Sequence, residues 1–201
     1  MPDKPVGTRP GRRARSDEAI LAAARELLEE NGVRALTIEG VAERSGVAKT
    51  TIYRRFRDRD ALALAVLVEM SEGFRVPRDL GDTRKELLAF VNEGTKVILL
   101  GGVAPGLASQ IATDPDLGRT YRERIIDLRL AEVKEIIDRG IARGDLRPDT
   151  DVRVAHELMI GPRYYRLLFS GAPLNKRHAE QVVDAVLATY GADQRRSRHR
   201  R

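Results

Sequence analysis

The sequence predicts an all-α protein. Apolar residues recur at helical spacing through most of residues 16–190, and several of these stripes begin next to a residue that can cap a helix. Residues 97–103 are apolar enough for a strand, but one short β-candidate among helical patterns does not change the fold class. A chain of 201 residues with 42% hydrophobic content can form one or two domains with a sizeable core.

The composition of the chain excludes several kinds of functional site. The absence of cysteine excludes disulfides, thiolate metal sites and cysteine nucleophiles, and the three histidines lack metal-site spacing. We recognise no nucleophile–base pair or phosphate-binding loop, so we expect neither enzyme activity nor a cofactor. No apolar run approaches the roughly 18 residues of a membrane span. We therefore expect a cytoplasmic protein with no membrane partner.

The first predicted helix begins at Ser16, a suitable N-cap, and ends at Asn31-Gly32. Its apolar residues recur at helical spacing, at Ile20, Ala24, Leu27 and Leu28. We expect this helix to brace the two short helices that follow it.

Two short helices around a tight turn are predicted over residues 36–56. Thr37 is a candidate N-cap for the first helix, and Gly46 suits a turn that requires positive φ. The second helix runs from about Lys49 to Phe56. Ala48 stands where Ser or Thr could have capped it, so this helix lacks a favourable cap residue.

The two faces of the second helix differ in chemistry. At about 100° per residue, Ile52 and Phe56 share the face that packs inward, whereas Thr50, Arg54 and Arg57 point away from it. Residues 49–59 carry five basic side chains and one acid, the local excess that phosphate contacts require. Such a surface suits a helix that enters a DNA major groove. The alternative is a solvated amphipathic helix pair.

The middle of the chain predicts four further helices. A fourth helix from about Asp60 to Met70 is apolar enough to connect two domains, and residues 79–82 then break the pattern. Residues 83–86 have capping-box spacing for a fifth helix, which Gly101-Gly102 ends. The remaining predicted helices here are a short one over residues 104–113 and a long one from Asp114-Pro115 to about Arg143, stopped by Gly144.

The last two predicted helices, about residues 151–170 and 176–190, carry wide apolar stripes. Two copies of the chain could pair these stripes in a four-helix dimer bundle. The candidate interface residues are Val154, Leu158, Tyr165, Leu168, Val182, Val183, Val186 and Leu187. The alternative is that the same stripes form the chain's own core.

These segments resemble a known family. The runs SDEAILAAARELLEENG (16–32), LTIEGVAERSGVAKTTIYRRF (36–56) and RDRDAL (57–62) resemble the N-terminal domain of TetR-family transcriptional repressors, over about residues 16–70. The runs RGDLRPD (143–149) and GPRYYRLL (161–168) resemble the C-terminal domain of one actinobacterial-looking branch of that family.

The resemblance implies an N-terminal three-helix helix-turn-helix DNA-binding domain and a larger helical domain for ligand binding and dimerisation. It implies a homodimer on double-stranded DNA with a near-palindromic operator, released by a small-molecule effector whose identity is unknown. We accordingly expect a basic disordered arm over residues 1–15 and a DNA-binding domain over 16–62. A regulatory domain over 63–190 and a basic disordered tail over 191–201 follow.

The resemblance also implies which residues contact DNA. Lys49, Thr50, Tyr53, Arg54 and Arg55 match the DNA-contacting positions of the family. Two further candidates are Thr51, on the flank of the helix, and Arg59, which matches a basic residue that grips a phosphate.

Side-chain chemistry divides these candidates into two roles. Arg54 and Arg55 can each make paired hydrogen bonds to guanine, and Thr50 can contact thymine. Tyr53 and Lys49 are suited to phosphates. For Arg55 a salt bridge to Asp58 or Glu39 is an equal alternative.

The candidate effector contacts are Phe90, Gln110 and Tyr121, which offer aromatic or polar groups near apolar stretches. The alternative, favoured for each of them, is ordinary core or surface. His156 is either a ligand-binding or pH-sensitive group or a hydrogen-bonded structural residue.

The net charge of +6 lies at the two ends of the chain. Residues 1–15 and 191–201 each hold five basic side chains and one acid, so together they contribute +8 and the body contributes −2. The N-terminal arm could follow a minor groove or serve only solubility. We expect a ligand-responsive, sequence-specific repressor; the alternative is a non-specific architectural DNA-binding protein that uses the basic ends as a coating.

Overall fold

The computed structural model describes residues 12–73 and 79–192, and over this part the chain is helical with no strand. The all-α prediction is confirmed. Residues 97–103, the one β-candidate, form the end of one helix, a 3-10 turn and the start of the next. The helices are α1 Arg12–Asn31, α2 Ile38–Ser45, α3 Lys49–Arg55, α4 Arg59–Gly73, α5 Thr83–Leu99, α6 Val103–Thr113, α7 Pro115–Tyr121, α8 Asp127–Arg143, α9 Val152–Tyr165 and α10 Lys176–Tyr190.

Two π-helical turns extend the helices of the second half. Arg122–Ile126 joins α7 to α8, so residues 115–143 form one continuous helical run, as the sequence predicts. Arg166–Ser170 extends α9 in the same way. Among the described residues, no single helix is long and apolar enough to cross a membrane. Helices α5 and α6 reach that length and hydropathy only together, and they are bent by 82°.

The N-terminal boundary of α1 differs from the prediction. The helix includes Arg12 and continues through Ser16, so Ser16 is not its cap, and residues 12–15 are helical rather than a disordered arm. Residues 1–11 and 193–201, the rest of the predicted arm and tail, lie outside the described residues. At the other end Ala192 N donates to the carbonyl of Asp145 at 3.0 Å, so the predicted tail begins as ordered chain.

The cap of α5 also differs from the prediction. Asp82 is the N-cap, and its carboxylate accepts from Lys85 N at 2.9 Å. Thr83 is buried and donates its hydroxyl to Asp145 at 2.8 Å. The buried carboxylate of Glu86 accepts from Leu80 N at 3.3 Å, before the helix start, and also binds Arg139 and Arg143 at 2.7 and 2.9 Å. The two residues assigned to a capping box therefore hold α8 against α5.

The buried apolar side chains form two cores. The head core joins α1–α4 to the C-terminal end of α5, to α6 and α7, and to the adjoining turns. Its residues are Ile20, Ala23, Ala24, Leu28, Leu36, Ile38, Val41, Ile52, Leu62, Ala63, Leu64, Val66, Leu67, Val68, Val97, Leu100, Val103, Ala104, Leu107, Leu117 and Ile125. The scaffold core joins α5 and α8–α10 through Leu87, Phe90, Val91, Val133, Ile136, Ile137, Leu146, Ala155, Met159, Ala179, Val182, Val183, Val186 and Tyr190.

The half of the predicted dimer interface that lies on α10 is wrong, because these residues pack in the scaffold core. Val182, Val183 and Val186 are buried inside the chain against α5 and α9, so they cannot meet a second copy, and Leu187 packs beside them half-buried. The stripe of α10 is thus the intramolecular core that the sequence left open. On the α9 side, Val154, Tyr165 and Leu168 are exposed and Leu158 is half-buried. Phe169, which the sequence did not single out, is 77% exposed.

Candidate nucleic-acid interface and internal cavity

The head core seats α3 as its sequence pattern predicts. Ile52 is fully buried, and Val47 and Phe56 pack half-buried against the same core. Gly46 ends α2 with φ 68°, the left-handed conformation that glycine adopts at low cost. Thr37 caps α2 by accepting from Gly40 N at 3.0 Å, whereas Ala48 gives α3 no side-chain cap.

The opposite face of α3 is open to solvent. Thr50 and Arg54 are exposed, and Tyr53 is 52% exposed. Within residues 12–73 and 79–192, Arg54 has no ion-pair partner. Thr51 is half-buried on the flank. The guanidinium of Arg54, the hydroxyl of Thr50 and the phenol of Tyr53 lie on one short helix that packs on the core, so they can hydrogen-bond to base edges and phosphates.

Lys49 and Arg59 are exposed at the ends of this face and pair with nearby acids. Lys49 Nζ lies 3.1 Å from Glu39 Oε1, and Arg59 Nη2 lies 2.9 Å from Asp60 Oδ1. The pKa of Glu39 is lowered by a backbone hydrogen bond at the start of α2 and by Lys49. Exposed pairs of this kind are weak, so a phosphate can replace the carboxylates.

Arg55 does not lie where the sequence placed it. Its side chain is only 15% exposed, and Nη1 lies 3.0 Å from Asp17 Oδ2 on α1. The predicted alternative of a salt bridge is therefore the structural outcome, but with Asp17 instead of Asp58 or Glu39. Because this guanidinium holds α3 against α1, the geometry does not present Arg55 as a base-reading group.

A hollow of about 900 Å³ lies beside α3, and one of the residues that line it is Arg13, which the sequence analysis assigned to the disordered arm. Arg13 and Ser16 of α1 line it together with Thr51, Arg54 and part of Arg55 of α3. Arg13 is exposed there, and it belongs to α1 because α1 begins at Arg12, four residues before Ser16. The early start of α1 is thus what adds a cation to this surface.

Arg57, just after α3, connects this part of the chain to the start of α7. Its guanidinium binds Asp58 at 2.8 Å and also contacts the carboxylate of Asp114. Both contacts raise the pKa of Arg57, with the hydrogen bond to Asp58 the larger cause. Asp114 is also the N-cap of α7, accepting from Asp116 N and Leu117 N at 3.0 and 3.1 Å.

A cavity of about 430 Å³, open to solvent on its α9 side at Arg153, Glu157 and Gly161, lies between the two cores and is bordered by α6–α9. A narrow inner extension of about 40 Å³ reaches α4 and α5. Of the three predicted effector contacts, Tyr121 lines both parts and Phe90 lines the extension. Gln110 does not line this cavity, and its Oε1 is buried without a hydrogen-bond partner.

Three polar side chains line the cavity without an ion-pair partner: the buried His156 and the half-buried Tyr121 and Tyr164. The hydroxyls of Tyr121 and Tyr164 lie 2.8 Å apart, and burial is the main cause that raises both pKa values. His156 is 6% exposed and has no hydrogen bond among the residues described. Burial, with Arg129 and Arg153, lowers the pKa of His156 to about 4. His156 is thus neutral and available, not the hydrogen-bonded structural residue.

Two buried arginines that the sequence did not single out brace the cavity. Arg129 binds Glu132 at 2.6 Å and Ser71 Oγ at 2.9 Å, which ties α8 to α4. Arg163 is almost fully buried and donates to the carbonyl of Val91 at 2.6 Å, which ties α9 to α5. Burial lowers the pKa of Arg163 to about 10.

Comparison with known proteins explains this combination of an exposed helix face and an internal cavity. Residues 20–66 match the family model described as bacterial regulatory proteins, tetR family. Residues 77–186 match the tetracyclin repressor-like C-terminal domain, which covers more than half of the chain. The chain belongs to the TetR family. It is a helix-turn-helix, DNA-binding transcriptional regulator.

Relatives of this TetR-family protein match it over most of their length. An HTH-type transcriptional regulator of Bacillus subtilis, YdeS, is 31% identical over 83% of this chain and 85% of the relative. A DNA-binding transcriptional repressor TetR of Mycobacteroides abscessus is 27% identical over 84% and 90%. The crystal structure of the TetR family transcription regulator SCO0332 superposes with a TM-score of 0.73 at 34% identity, over 86% and 97% of the two chains.

Proposed function

We propose that the protein is a ligand-responsive repressor that binds a near-palindromic operator as a homodimer. The observation that carries this proposal is the division of α3, in which Ile52 seats the helix while Thr50 and Arg54 face outward. Arg54 is assigned to guanine and Thr50 to thymine or a phosphate. The remaining contacts, from Lys49, Thr51, Tyr53 and Arg59, are assigned mainly to phosphates, and Arg55 to support.

The proposed dimer uses the exposed face of α9 and its π-helical extension. Val154, Leu158, Tyr165 and Phe169 follow each other at spacings of four or seven residues, which places them on one side of the helix. The rings of Tyr165 and Phe169 lie 5.9 Å apart and form an apolar patch near the end of this face. A patch of this kind favours burial against a second copy.

The proposed coupling runs along α7. Tyr121 at the C-terminal end of α7 lines the cavity, and Asp114 at its N-terminal end contacts Arg57, two residues beyond α3. A ligand that shifts α7 would therefore shift the end of the recognition helix. Release requires that the ligand bind better to the conformation whose two recognition helices do not fit successive major grooves.

The operator is testable with two matched variants. Selection from random duplexes, followed by footprinting, should give one short palindromic site with a steep salt dependence. Arg54→Ala should lower discrimination at one base position by about 1–3 kcal/mol. Lys49→Ala should weaken all sequences alike and reduce the salt slope by roughly one. Protection with no sequence preference would instead support the architectural DNA-binding protein.

The dimer is testable by charge insertion. Phe169→Arg should give a monomer in sedimentation equilibrium with unchanged helical circular dichroism, because a desolvated arginine has no partner at that position. The matched control is Leu99→Arg, which introduces the same charge at another exposed apolar residue, at the end of α5. Persistence of the dimer in Phe169→Arg would move the interface elsewhere.

A further inference from the structure

The walls of the cavity between the two cores are mostly apolar. Three helices contribute Ala108 and Ile111 from α6, Leu130 from α8 and Ile160 from α9. A volume of about 430 Å³ lies within the range of small-molecule sites. Such walls give affinity for a hydrophobic molecule, but they do not determine which polar group it carries. That selection falls to the few polar side chains that line the cavity.

Those side chains offer hydrogen bonds that the protein does not use itself. In the contact between Tyr121 and Tyr164 one hydroxyl donates to the other, so the second hydroxyl proton has no acceptor among the described residues. The neutral imidazole of His156 offers one N–H donor and one nitrogen acceptor. The imidazole and the second hydroxyl proton together leave unpaired polar atoms on one edge of the cavity. Buried polar groups of this kind are normally hydrogen-bonded.

The charged side chains that line the cavity are balanced, and the buried Arg163 does not line it. Arg129 is held by Glu132 and Ser71, so its charge is already compensated. At the rim, α9 contributes Arg153 and Glu157, both exposed and opposite in sign. An anionic ligand would have to leave water without gaining an uncompensated buried cation, and that desolvation is unfavourable.

We propose that this cavity takes an uncharged, largely apolar molecule that carries a carbonyl or hydroxyl group, bound by His156 and by the hydroxyl pair of Tyr121 and Tyr164. The inference rests on the proposed function only in assigning the cavity to the effector. It adds the chemical class of that effector and the three residues that select it.

The test uses three probes of nearly equal shape. 4-Acetylbiphenyl carries an uncharged carbonyl, biphenyl-4-carboxylate replaces its methyl group by a charged oxygen, and 4-isopropylbiphenyl has no polar atom. Binding to the full-length protein is measured by titration calorimetry at pH 7.5 without DNA. The acetyl compound should bind roughly two- to tenfold more tightly than the isopropyl compound, the range of one net hydrogen bond. The carboxylate should bind most weakly.

Variants identify the selecting residues. Tyr164→Phe keeps the shape of the side chain and should lower acetyl binding to the isopropyl level while leaving isopropyl binding unchanged. His156→Leu should act in the same direction. Tyr190→Phe is the control, because that phenol belongs to the scaffold core and does not line the cavity. An acetyl preference that survives Tyr164→Phe and His156→Leu would overturn the assignment.

The result separates this inference from the proposed function. Tightest binding of the carboxylate, or equal or undetectable binding of all three probes, would overturn the ligand class even if an operator is found. Failure to find an operator would overturn the proposed function, whereas the binding order of the probes would still stand.

Discussion

The head core and the scaffold core differ in the helices that they join and in the groups that they bury. The head core packs the helix-turn-helix against α6 and α7 with apolar side chains. The scaffold region of α5 and α8–α10 also encloses charged groups, including Glu86 with two arginines and the almost fully buried Arg163. The cavity lies between the two. The proposed ligand would therefore act on the apolar packing beneath the recognition helix, while hydrogen bonds and ion pairs hold α5 and α8–α10 in place.

The two cores do not follow the domain boundary that the sequence predicts. The sequence places a domain boundary at residues 62 and 63, inside α4, but α4 contributes buried residues along most of its length to the head core. We propose that the division relevant to regulation follows the cavity, with α6 and α7 moving together with the DNA-binding helices.

The largest expected effect tests the charged part of the scaffold. Glu86→Gln leaves Arg139 and Arg143 facing a fully buried neutral group, so we expect a loss of about 3–5 kcal/mol in the free energy of unfolding in urea. The matched control is Glu135→Gln, since Glu135 contacts the same Arg139 at 4.0 Å but is 78% exposed. We expect the control to behave as the wild type. A small effect at Glu86 would mean that apolar packing alone holds the scaffold.

The second test compares the two cores with the same chemical change. Leu107 of α6 lies in the head core and Leu87 of α5 in the scaffold core, and both are fully buried. Each Leu→Ala change should lower stability by about 2–5 kcal/mol. Hydrogen exchange should then separate them: Leu107→Ala should increase exchange in α1–α4, and Leu87→Ala should increase it in α8–α10. Equal exchange patterns would remove the distinction between the cores.

The third test uses the histidine between the cores. The folded pKa of His156, about 4, lies below its usual value of 6.5, so the unfolded chain takes up its proton first as the pH falls. The contribution of neutral His156 is complete above pH 6.5 and is lost as the pH falls toward 4, by at most about 3 kcal/mol. His156→Leu should flatten the stability curve in that window, since His178 and the acidic groups titrate in both proteins. Parallel curves would contradict the lowered pKa.

The local part of the site could be predicted from the sequence. The 100° periodicity of α3 is sufficient to bury Ile52 and expose Thr50 and Arg54, because both faces are set by residues within two turns of each other. Thr37 and Gly46 were predictable for the same reason, since a cap and a positive-φ glycine are local features.

Contacts across the fold could not be predicted in this way. Arg55 pairs with Asp17, which is 38 residues away, and a helical wheel shows a direction but not the neighbour. Asp82 and Thr83 are both good N-cap residues. Asp82 caps the helix because the hydroxyl of Thr83 donates to Asp145 instead. The stripe of α10 shows that Val183 is buried, but not whether its neighbour belongs to the same chain.

The smallest expected effect concerns the connection between the cavity and α3. Asp114→Asn keeps a good N-cap for α7, because Asn caps helices as well as Asp does, but it removes the charge that attracts Arg57. We expect stability to stay unchanged. The factor by which 4-acetylbiphenyl lowers operator affinity should fall by roughly two- to fivefold, the range of one exposed ion pair.

The matched control for that change is Asp116→Asn, which removes a carboxylate from the first turn of the same helix. Asp116 pairs with Arg119 within α7 and does not contact Arg57. Operator affinity is measured with and without the probe, and probe affinity with and without operator. The two ratios must agree, because the coupling between sites is reciprocal. If Asp114→Asn keeps the wild-type ratio while the cavity still binds the probe, the ligand acts on α3 through the apolar head core instead of through Arg57.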